Sequence, residues 1–230
     1  MEADTETRDT PPKHAARHYS SPLRLQQSAD TRQRITAAAL ELFTEHGFGA
    51  TITAIAERAG VAPQTIYATF GTKGAILKAL LARMEDDADA SGWRDRIGAE
   101  DDPAAKLERF AQWSAAMFSA SKTAITAAQG AAGDPAIVEL RTEADRHRRQ
   151  TLTTLIAGLA DRGALVAGLS RQRAVDQAWM LTGVEIYLAA IDGCGWSDAD
   201  YAGWLARLLI NQLLAEESGE DHAEPATRET

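Results

Sequence analysis

The sequence is poor in the residues and runs that build several common classes of protein. Its 230 residues include one cysteine, Cys194, so it forms no disulfide within the chain and no cysteine-rich metal cluster. No run approaches 18 apolar residues, so no transmembrane helix is indicated. The acidic, polar stretch 1–10 lacks the apolar core of a signal peptide. We therefore expect a soluble cytoplasmic protein.

Motifs of catalysis and metal binding are also missing. The five histidines are scattered, and apart from the spacing of His14 and His18 in the expected arm, no His-x-x-x-His, Glu-x-x-His or Ser-His-Asp arrangement is present. We therefore expect no catalytic residue, no metal and no cofactor. An all-α enzyme remains an alternative, because residues that are distant in sequence can meet in the fold.

The alternation of apolar and polar residues that is typical of strands is missing, whereas alanine is abundant and apolar residues recur at helical spacing. Hydrophobic residues make up 45% of the chain, which is ordinary for a globular protein. The sequence therefore predicts an all-α fold of one large domain or two small ones. Its expected parts are a flexible arm over 1–28, a small helical domain over 29–75, a larger helical domain over 76–217 and a disordered acidic tail over 218–230.

The net charge of −9 is unevenly distributed. Residues 1–28 sum to zero, residues 29–84 carry +2, and the rest of the chain carries −11. The acidic total argues against a protein that coats DNA over its whole surface. The acidic total is compatible with a small positive region that binds DNA and an acidic body that faces away from the DNA. A solvated acidic surface without that role is an equal alternative.

Capping residues and glycines divide the first part of the chain into four helices. The first helix has apolar residues at i, i+4, i+7 and i+8, counted from Ile35. A threonine is the expected N-cap of the second and fourth helices, and a proline fits the first turn of the third. The expected boundaries are Asp30 to Gly47, Thr51 to Gly60, Pro63 to Phe70 and Thr72 onward.

The second part of the chain has equally clear helix starts. In two Asp-Pro pairs the aspartate is an N-cap and the proline fits the first turn. Serines cap two more helices, and Ser197 with Asp200 forms a capping box in which aspartate replaces the usual glutamate. The acidic segment 86–102 is expected to be a connection with little helix. The predicted helices follow Asp102, Asp134, Ser170 and Ser197, and those from Asp134 and Ser170 run to Gly163 and Gly193.

The second and third helices fit a helix-turn-helix, which uses three short helices to bring one of them to DNA. Small and branched apolar residues, among them Ile55 and Ala56, allow the two helices to cross closely. Gly60 supplies a turn conformation that bulky residues resist. The third helix then presents its N-terminal half outward.

A dense series of residues between 31 and about 80 matches a known pattern: Ile35-Thr-Ala-Ala-Ala-Leu-Glu-Leu-Phe43, Gly47-Phe48, Ala50-Thr51, Ile55-Ala56-Glu-Arg-Ala-Gly60-Val61, Thr65-Ile66-Tyr67, Phe70, Lys73 and Leu77. This series resembles the TetR family of transcriptional regulators. The resemblance implies an N-terminal three-helix DNA-binding domain and a C-terminal helical domain for ligand binding and dimerisation. It implies a regulator, most often a repressor, that binds a palindromic operator of double-stranded DNA as a homodimer and is released by a small-molecule effector. A transcriptional activator of the same family is the alternative.

The expected DNA contacts are of two kinds. Gln64 can read adenine through its amide, Thr65 can contact a base edge or a thymine methyl group, and Pro63 can add an apolar contact. Hydroxyl and cationic side chains near helix starts can contact phosphate. The resemblance implies phosphate contacts by Thr51, Thr53, Tyr67 and Lys73, and Arg32 of the first helix can add a further one.

Alternatives exist for several of these side chains. Thr51 can be a plain N-cap, and Tyr67 can pack in the core. For Arg32 and Arg34, exposure to solvent without a DNA contact explains the residues nearly as well.

A DNA-binding domain of this size binds DNA usefully only as a pair, with recognition helices about one DNA turn apart, roughly 34–36 Å.

The resemblance places the effector pocket among helices that start near 103, 121, 135 and 171. Apolar walls with a few polar groups suit a small organic molecule. Taken singly, residues of these types are more often part of the core or the surface than in contact with a ligand. The basic run 146–149 fits a surface network of salt bridges better than a site that binds an anion. The candidate lining residues are Phe110, Trp113, Met117, Gln129, His147, Thr151, Trp179, Glu185 and Tyr187.

The resemblance also implies a homodimer through the helices at about 171–193 and 198–217. A stripe of Trp204, Leu205, Leu208 and Leu209 fits either that interface or the core of one protomer. The fourth helix joins the pocket to the DNA-binding domain and is the expected lever of release. A protein-interaction module that keeps the helix-turn-helix only for packing is a further alternative, and no membrane partner is expected.

Overall fold

The computed structural model describes residues 22–87 and 90–215. Within these ranges the chain is helical, and its strand pairing is limited to an isolated bridge between Leu165 and Leu214. The predicted all-α fold is therefore confirmed. The helices are α1 (Pro22–His46), α2 (Ile52–Ala59), α3 (Pro63–Phe70), α4 (Lys73–Asp87), α5 (Ala90–Ala99), α6 (Pro103–Gln129), α7 (Pro135–Asp161), α8 (Arg171–Leu181), α9 (Val184–Leu188) and α10 (Asp198–Leu213).

The helix starts follow local side-chain chemistry, as the sequence predicts. Each predicted cap accepts a hydrogen bond from a backbone N–H in the first turn, which satisfies a donor that has no partner within the helix. Ser197 and Asp200 also form the reciprocal capping box. The capping bonds join Ala54 N to Thr51 Oγ1 (3.1 Å), Ala75 N to Thr72 Oγ1 (3.1 Å), Ala105 N to Asp102 Oδ2 (2.6 Å), Ala136 N to Asp134 Oδ1 (2.9 Å), Arg173 N to Ser170 Oγ (3.3 Å) and Asp200 N to Ser197 Oγ (3.1 Å).

Two segments are more helical than the sequence predicts. Helix α1 begins at Pro22, eight residues before the expected start near Asp30, so it includes the end of the predicted arm. Residues 24–30 are exposed and have no core to face, which is why no apolar periodicity announces them. The predicted connection 86–102 contains α5. The rest of the arm, the tail from 218 and residues 216–217 of the predicted last helix lie outside the described residues.

The helix predicted over 171–193 is wrong in its continuity. Helix α8 ends at Leu181, α9 starts after Gly183, and a wider π-type turn follows over 189–193. Thr182 ends α8, and its hydroxyl donates to the carbonyl of Ala178 at 2.8 Å. The helix start expected near 121 is also absent, because α6 runs without interruption and buries Ser121 in its middle.

The buried apolar residues form two cores. The first, here called the head core, joins α1, α2, α3 and α4 with the C-terminal end of α6 and the first turn of α7. The second, the body core, is built from α6, α7, α8, α9 and α10, with Ile97 of α5. Helices α6 and α7 therefore enter both cores: Leu107 and Phe118 of α6 lie in the body core, whereas Ala124 and Ala128 lie in the head core. The predicted boundary at 75/76 does not separate the two, because α4 packs with the head.

Helices α4 and α7 meet closely at one point between head and body. A Cβ atom placed on Gly74 of α4 would lie 2.7 Å from the Cβ of Ala136 in α7, so only glycine fits there. One turn further along α4, Lys78 Nζ donates to Glu143 Oε2 of α7 at 2.8 Å. The ion pair keeps the pKa of the Glu143 carboxyl below its usual range. Helices α4 and α7 are therefore in direct contact between the head and the body.

Candidate nucleic-acid interface and ligand-binding core

The turn between α2 and α3 has the geometry of a helix-turn-helix. Gly60 ends α2 with φ at +64°, a left-handed conformation that side chains disfavour. Arg34 of α1 reaches this turn, and its Nη2 donates to the carbonyls of Ala59 at 2.6 Å and Gly60 at 2.8 Å. These bonds satisfy carbonyl groups at the end of α2 that have no partner within the helix. Arg34 thus fixes α2 to α1, a role that the sequence analysis missed.

Helix α3 turns one side to the core and the other to solvent. Ile66 is fully buried, whereas Gln64, Tyr67 and Ala68 are exposed. Their spacing of three and four residues puts these three on one face of the helix. The Tyr67 side chain is 57% exposed, so the alternative that it packs in the core is wrong. The structure therefore presents the predicted reading residue Gln64 and the predicted phosphate contact Tyr67 on one open surface, here called the reading face.

The remaining residues predicted for DNA contact at the helix starts are accessible to different degrees. Thr51 and Thr53 are exposed at the start of α2, while Pro63 and Thr65 at the start of α3 are half-buried. The Thr51 hydroxyl oxygen accepts the capping bond from Ala54 N, which leaves its own O–H available as a donor. Thr51 therefore combines the N-cap with a group that can still bind phosphate. Ala62, at the N-cap of α3, makes no side-chain bond, as expected from its methyl group.

Two predicted cationic contacts also bind groups of the protein itself, although Arg32 is exposed and Lys73 is half-buried. Lys73 Nζ donates to the carbonyls of Phe48 and Ala50, the latter at 2.9 Å, and lies 4.1 Å from the centre of the Phe48 ring. Burial lowers the pKa of the Lys73 ammonium below its usual value. The Arg32 guanidinium lies 4.3 Å above the ring of Phe70 at the end of α3. Both cations hold helices of the head together, and one ammonium proton of Lys73 stays available for a phosphate.

The nine residues predicted to line the effector pocket do not form one site. Phe110 and Tyr187 are buried in the body core, and four others are half-buried against it. Gln129 is exposed at the C-terminal end of α6, beside the head, and His147 is exposed on α7. Glu185 is exposed and lies 3.6 Å from Arg141, in a surface ion pair. The half-buried residues are Trp113, Met117, Thr151 and Trp179.

The basic run 146–149 is largely a salt-bridge network, as the alternative held. Arg148 donates to Asp145 at 2.9 Å, and Arg149 donates to Asp176 of α8 at 2.8 Å. Arg148 has a second role, because its Nη1 donates to the carbonyl of Trp179 at 2.8 Å. Arg148 and Arg149 both lie over the Trp179 ring, at 4.8 Å and 5.0 Å from its centre. The run therefore packs α7 onto α8.

Four buried polar atoms of the body have no hydrogen-bond partner. Such atoms are costly in a folded protein unless water or another molecule completes their bonding. Two of these atoms belong to residues that were predicted to line the pocket. The other two, in Gln177 and Tyr201, were not predicted, because the sequence cannot show that a buried polar atom lacks a partner. The atoms are Trp113 Nε1, Gln177 Oε1, Trp179 Nε1 and Tyr201 OH.

The two tyrosines of the body core differ in their bonding. Their rings meet edge to face, with centres 5.1 Å apart. The Tyr187 hydroxyl donates to Asp198 Oδ1 at 2.7 Å, whereas the Tyr201 hydroxyl has no partner. Burial raises the pKa of Tyr201 to about 12, and the positive charge of Arg148 partly offsets this rise. The Tyr201 hydroxyl therefore lies within electrostatic reach of Arg148.

A groove of about 510 Å³ opens between α6 and the start of α10. Small side chains line most of it, and Asp198, the acceptor for Tyr187, lies at its edge. None of the nine predicted lining residues borders this groove. Its lining residues are Gln112, Ala115, Ala116, Ser119, Ala120, Asp198, Ala199 and Ala202.

These features define a class of protein. A helix-turn-helix with an open reading face is joined, through helices shared by two cores, to a larger helical body. None of the helices in the ranges 22–87 and 90–215 has the length and apolar character of a membrane span. The class is a two-part, all-helical protein that carries a helix-turn-helix in its head.

Residues 35–80 match the family model described as bacterial regulatory proteins, tetR family. The match lies within α1 to α4, so this part of the chain is similar to the bacterial regulatory proteins of that family. A comparison with curated proteins gives no match.

Solved structures confirm the fold. The fatty acid degradation regulator FadR from Bacillus halodurans is 21% identical, with a TM-score of 0.63, over 78% of this chain and 94% of that one. NalD, the secondary repressor of the MexAB-OprM multidrug efflux pump in Pseudomonas aeruginosa, is 19% identical, with a TM-score of 0.64, over 84% and 100%. SmeT, in a complex with triclosan, is 16% identical, with a TM-score of 0.65, over 82% and 93%.

Proposed function

We propose that the protein is a homodimeric repressor that binds a palindromic operator through α2 and α3 and is released by a small organic effector bound in its body. The observation that carries this proposal is the reading face of α3. Gln64, Tyr67 and Ala68 are open to solvent while Ile66 anchors the opposite side. A glutamine amide at this place can make two bonds to adenine in the major groove.

Partly exposed apolar residues on α8 and α10 support a dimer. Leu205 and Leu209 are fully buried within the protomer, so this half of the predicted stripe belongs to its core. Trp204 and Leu208, on the neighbouring flank of α10, are half-buried, and Trp204 also packs against the body core. Met180 on α8 is 59% exposed. Burying these three against a second copy would remove apolar surface from water and set two reading faces at a fixed distance.

Helices shared by the two cores support the release mechanism. Because α6 and α7 enter both cores, a shift of either helix in the body also moves packing in the head. The contact at Gly74 and the Lys78–Glu143 pair transmit such a shift to α4. An effector that weakens operator binding 100-fold must distinguish the two arrangements by about 2.7 kcal/mol.

Unpartnered polar atoms support an effector site within the body. They lie on α6, α8 and α10, the helices that surround the body core. A ligand with matching groups would satisfy them and gain binding energy from each. The structural neighbour SmeT was solved in complex with triclosan, a small molecule, which agrees with this kind of site.

DNA binding can be tested with the full chain and labelled duplexes from the region upstream of its own gene. We expect a dimer in light scattering and tight binding to one duplex that weakens steeply as KCl is raised, since phosphate contacts release counterions. Tyr67→Phe removes one hydroxyl from each half of the dimer. At about 1 kcal/mol for each bond, it should weaken binding to every duplex by about 30-fold.

Tyr201→Phe is the matched control, because it removes a hydroxyl from the body and leaves the reading face intact. Its operator affinity without effector should equal that of the wild type. Binding no stronger than to random DNA, or equal affinities for wild type and Tyr67→Phe, would contradict the proposal.

A further inference from the structure

The first turns of α1 run past the edge of the head. Ile35 is fully buried in the head core. On the same face of the helix, at steps of four, three and four residues toward its start, Thr31 is half-buried and Ser28 and Arg24 are exposed. Residues 24–31, here called the extension, therefore carry the core-facing side of α1 beyond the core. This face of the extension is open to a partner from outside the head.

The open face of the extension has the chemistry of phosphate binding. Arg24, Ser28 and Thr31 offer a guanidinium and two hydroxyl groups, which donate hydrogen bonds to phosphate oxygens. Asp30, the one acid of the extension, lies on the other side, about 140° around the helix from Ile35. Arg24 forms no ion pair with another described residue. An anionic partner therefore fits this face better than an apolar one.

The sequence around the extension is basic within an acidic chain. Residues 10–34 contain five arginines and lysines and one acid, which gives +4 in a chain whose total is −9. A basic segment of this kind attracts a polyanion, whereas the acidic remainder repels it.

Contacts of α1 place the extension beside the reading face. Arg32, the residue after the extension, has its guanidinium 4.3 Å from the centre of the Phe70 ring at the end of α3. Arg34 binds the carbonyl groups of the turn between α2 and α3. Arg24 lies eight residues before Arg32, about 12 Å along the helix. DNA held on the reading face therefore passes close to the extension.

We propose that the extension of α1 binds the phosphate backbone of DNA beside the groove that α3 enters, with Arg24 as its main contact. This inference rests on the proposed operator binding. Because phosphate carries no base identity, the contact strengthens binding to every duplex and leaves the preference at each base unchanged.

The first test replaces Arg24 in the full-length protein. The labelled duplex is the one from upstream of its own gene, titrated at several KCl concentrations. Arg24→Gln removes two phosphate contacts from the dimer, so it should weaken binding about tenfold and lower the slope of log Kd against log [KCl] by about 2. An affinity and a slope equal to those of the wild type would overturn the inference.

Arg173→Gln is the matched control, because it removes the same exposed charge at the far end of the body. Helix α7 runs about 33 Å from Ile137 in the head core to Leu159 in the body core. Arg173 lies in the first turn of α8, just after that end of α7. Salt screens a charge at this distance, so affinity should change less than about twofold. A loss as large as that of Arg24→Gln would show an effect of net charge alone and overturn the contact.

The second test compares the two sides of the extension. Gln26 and Ser28 are both exposed, and they lie about 160° apart around the helix. Ser28→Asp places a carboxylate on the open face, where it repels phosphate, whereas Gln26→Asp places the same charge on the side turned away. Ser28→Asp should weaken operator binding several-fold more than Gln26→Asp. Equal losses in the two variants would overturn the orientation of this face toward DNA.

The wild-type titration and light scattering separate the ways in which the inference can fail. If the wild type binds no duplex, the proposed function and this inference fail together. If the wild type binds and Arg24→Gln binds equally, this inference fails alone. Leu25, which is 63% exposed beside Arg24, is the group that a second copy of the chain would cover. A monomer in Arg24→Gln would show that a second copy, and not DNA, covers the extension.

Discussion

The head and the body satisfy their buried polar groups differently. In the head, long cationic side chains bind backbone carbonyls across helices: Arg34 closes the end of α2, and Lys73 ties the α1–α2 loop to α4. In the described part of the chain, every buried side-chain polar atom without a partner lies in the body, between Trp113 and Tyr201.

This difference agrees with the tasks proposed for the two regions. A domain that reads DNA must present its helices at fixed angles before it meets the operator. A body that senses a ligand needs polar groups whose bonds are incomplete until the ligand arrives. Among the described residues, the head therefore satisfies its buried polar side-chain atoms within the protein, whereas the body leaves four of them without a protein partner.

The largest change in stability is expected when the arginine that binds the end of α2 is replaced. Arg34→Met deletes the bonds to Ala59 and Gly60 and should lower the free energy of unfolding by about 2 kcal/mol, since these are bonds from a charged donor. Urea unfolding measures this loss. Arg58→Met is the control: it removes ion pairs to Glu41 and Glu45 that are open to solvent, so the unfolding midpoint should barely move. Equal losses in both variants would refute the role given to Arg34.

The second prediction concerns the junction between head and body. Alanine stabilises a helix interior relative to glycine by up to about 1 kcal/mol, and Gly158→Ala in α7, with nothing near its Cβ position, should show this gain. Gly74→Ala should instead destabilise by about 1 kcal/mol, because its Cβ collides with Ala136. Thermal unfolding of the two variants measures the difference. A gain in both would show that α4 and α7 are not in close contact.

The third prediction compares the two tyrosines of the body without ligand. Tyr187→Phe leaves Asp198 without its donor and should cost about 1 kcal/mol of stability. Tyr201→Phe removes a hydroxyl that has no partner, so stability should stay equal or rise slightly. Urea unfolding of both variants tests this, and a larger loss for Tyr201→Phe would show that its hydroxyl is already bonded.

The smallest effect is confined to alkaline pH. Burial raises the pKa of Tyr201 to about 12 in the folded state. Above about pH 10 the unfolded phenol ionises while the folded one stays neutral, so the stability present below pH 10 is lost as pH rises toward 12. The free energy of unfolding should therefore fall less steeply with pH in Tyr201→Phe than in the wild type. Parallel curves for the two proteins between pH 10 and 12 would contradict the burial of this hydroxyl.

The sequence predicted those helix starts that depend on hydrogen bonds between residues close together in the chain. The caps at Asp102, Asp134 and Ser197 set helix starts through bonds to residues two or three positions away. The break after Leu181 was missed, because the apolar pattern continues across it. The early start of α1 was missed because residues with no core to face leave no periodic signal.

The candidate site was predictable only where it lies on one element. Gln64 and Tyr67 share a face of α3, so helical spacing sufficed to place them together. The effector site proposed for the body depends on helices that are distant in sequence, and no spacing rule joins Tyr201 to Trp179. The missing hydrogen-bond partner of Tyr201 is a property of the packed structure alone.

Selection of DNA from a randomised pool tests most directly the claim that paired reading faces recognise an operator. The wild-type protein should enrich an inverted repeat whose half-sites are centred about one helical turn apart. Gln64→Ala should enrich the same repeat with one position in each half-site relaxed. Enrichment of no sequence, or an unchanged preference at every position in Gln64→Ala, would contradict the claim.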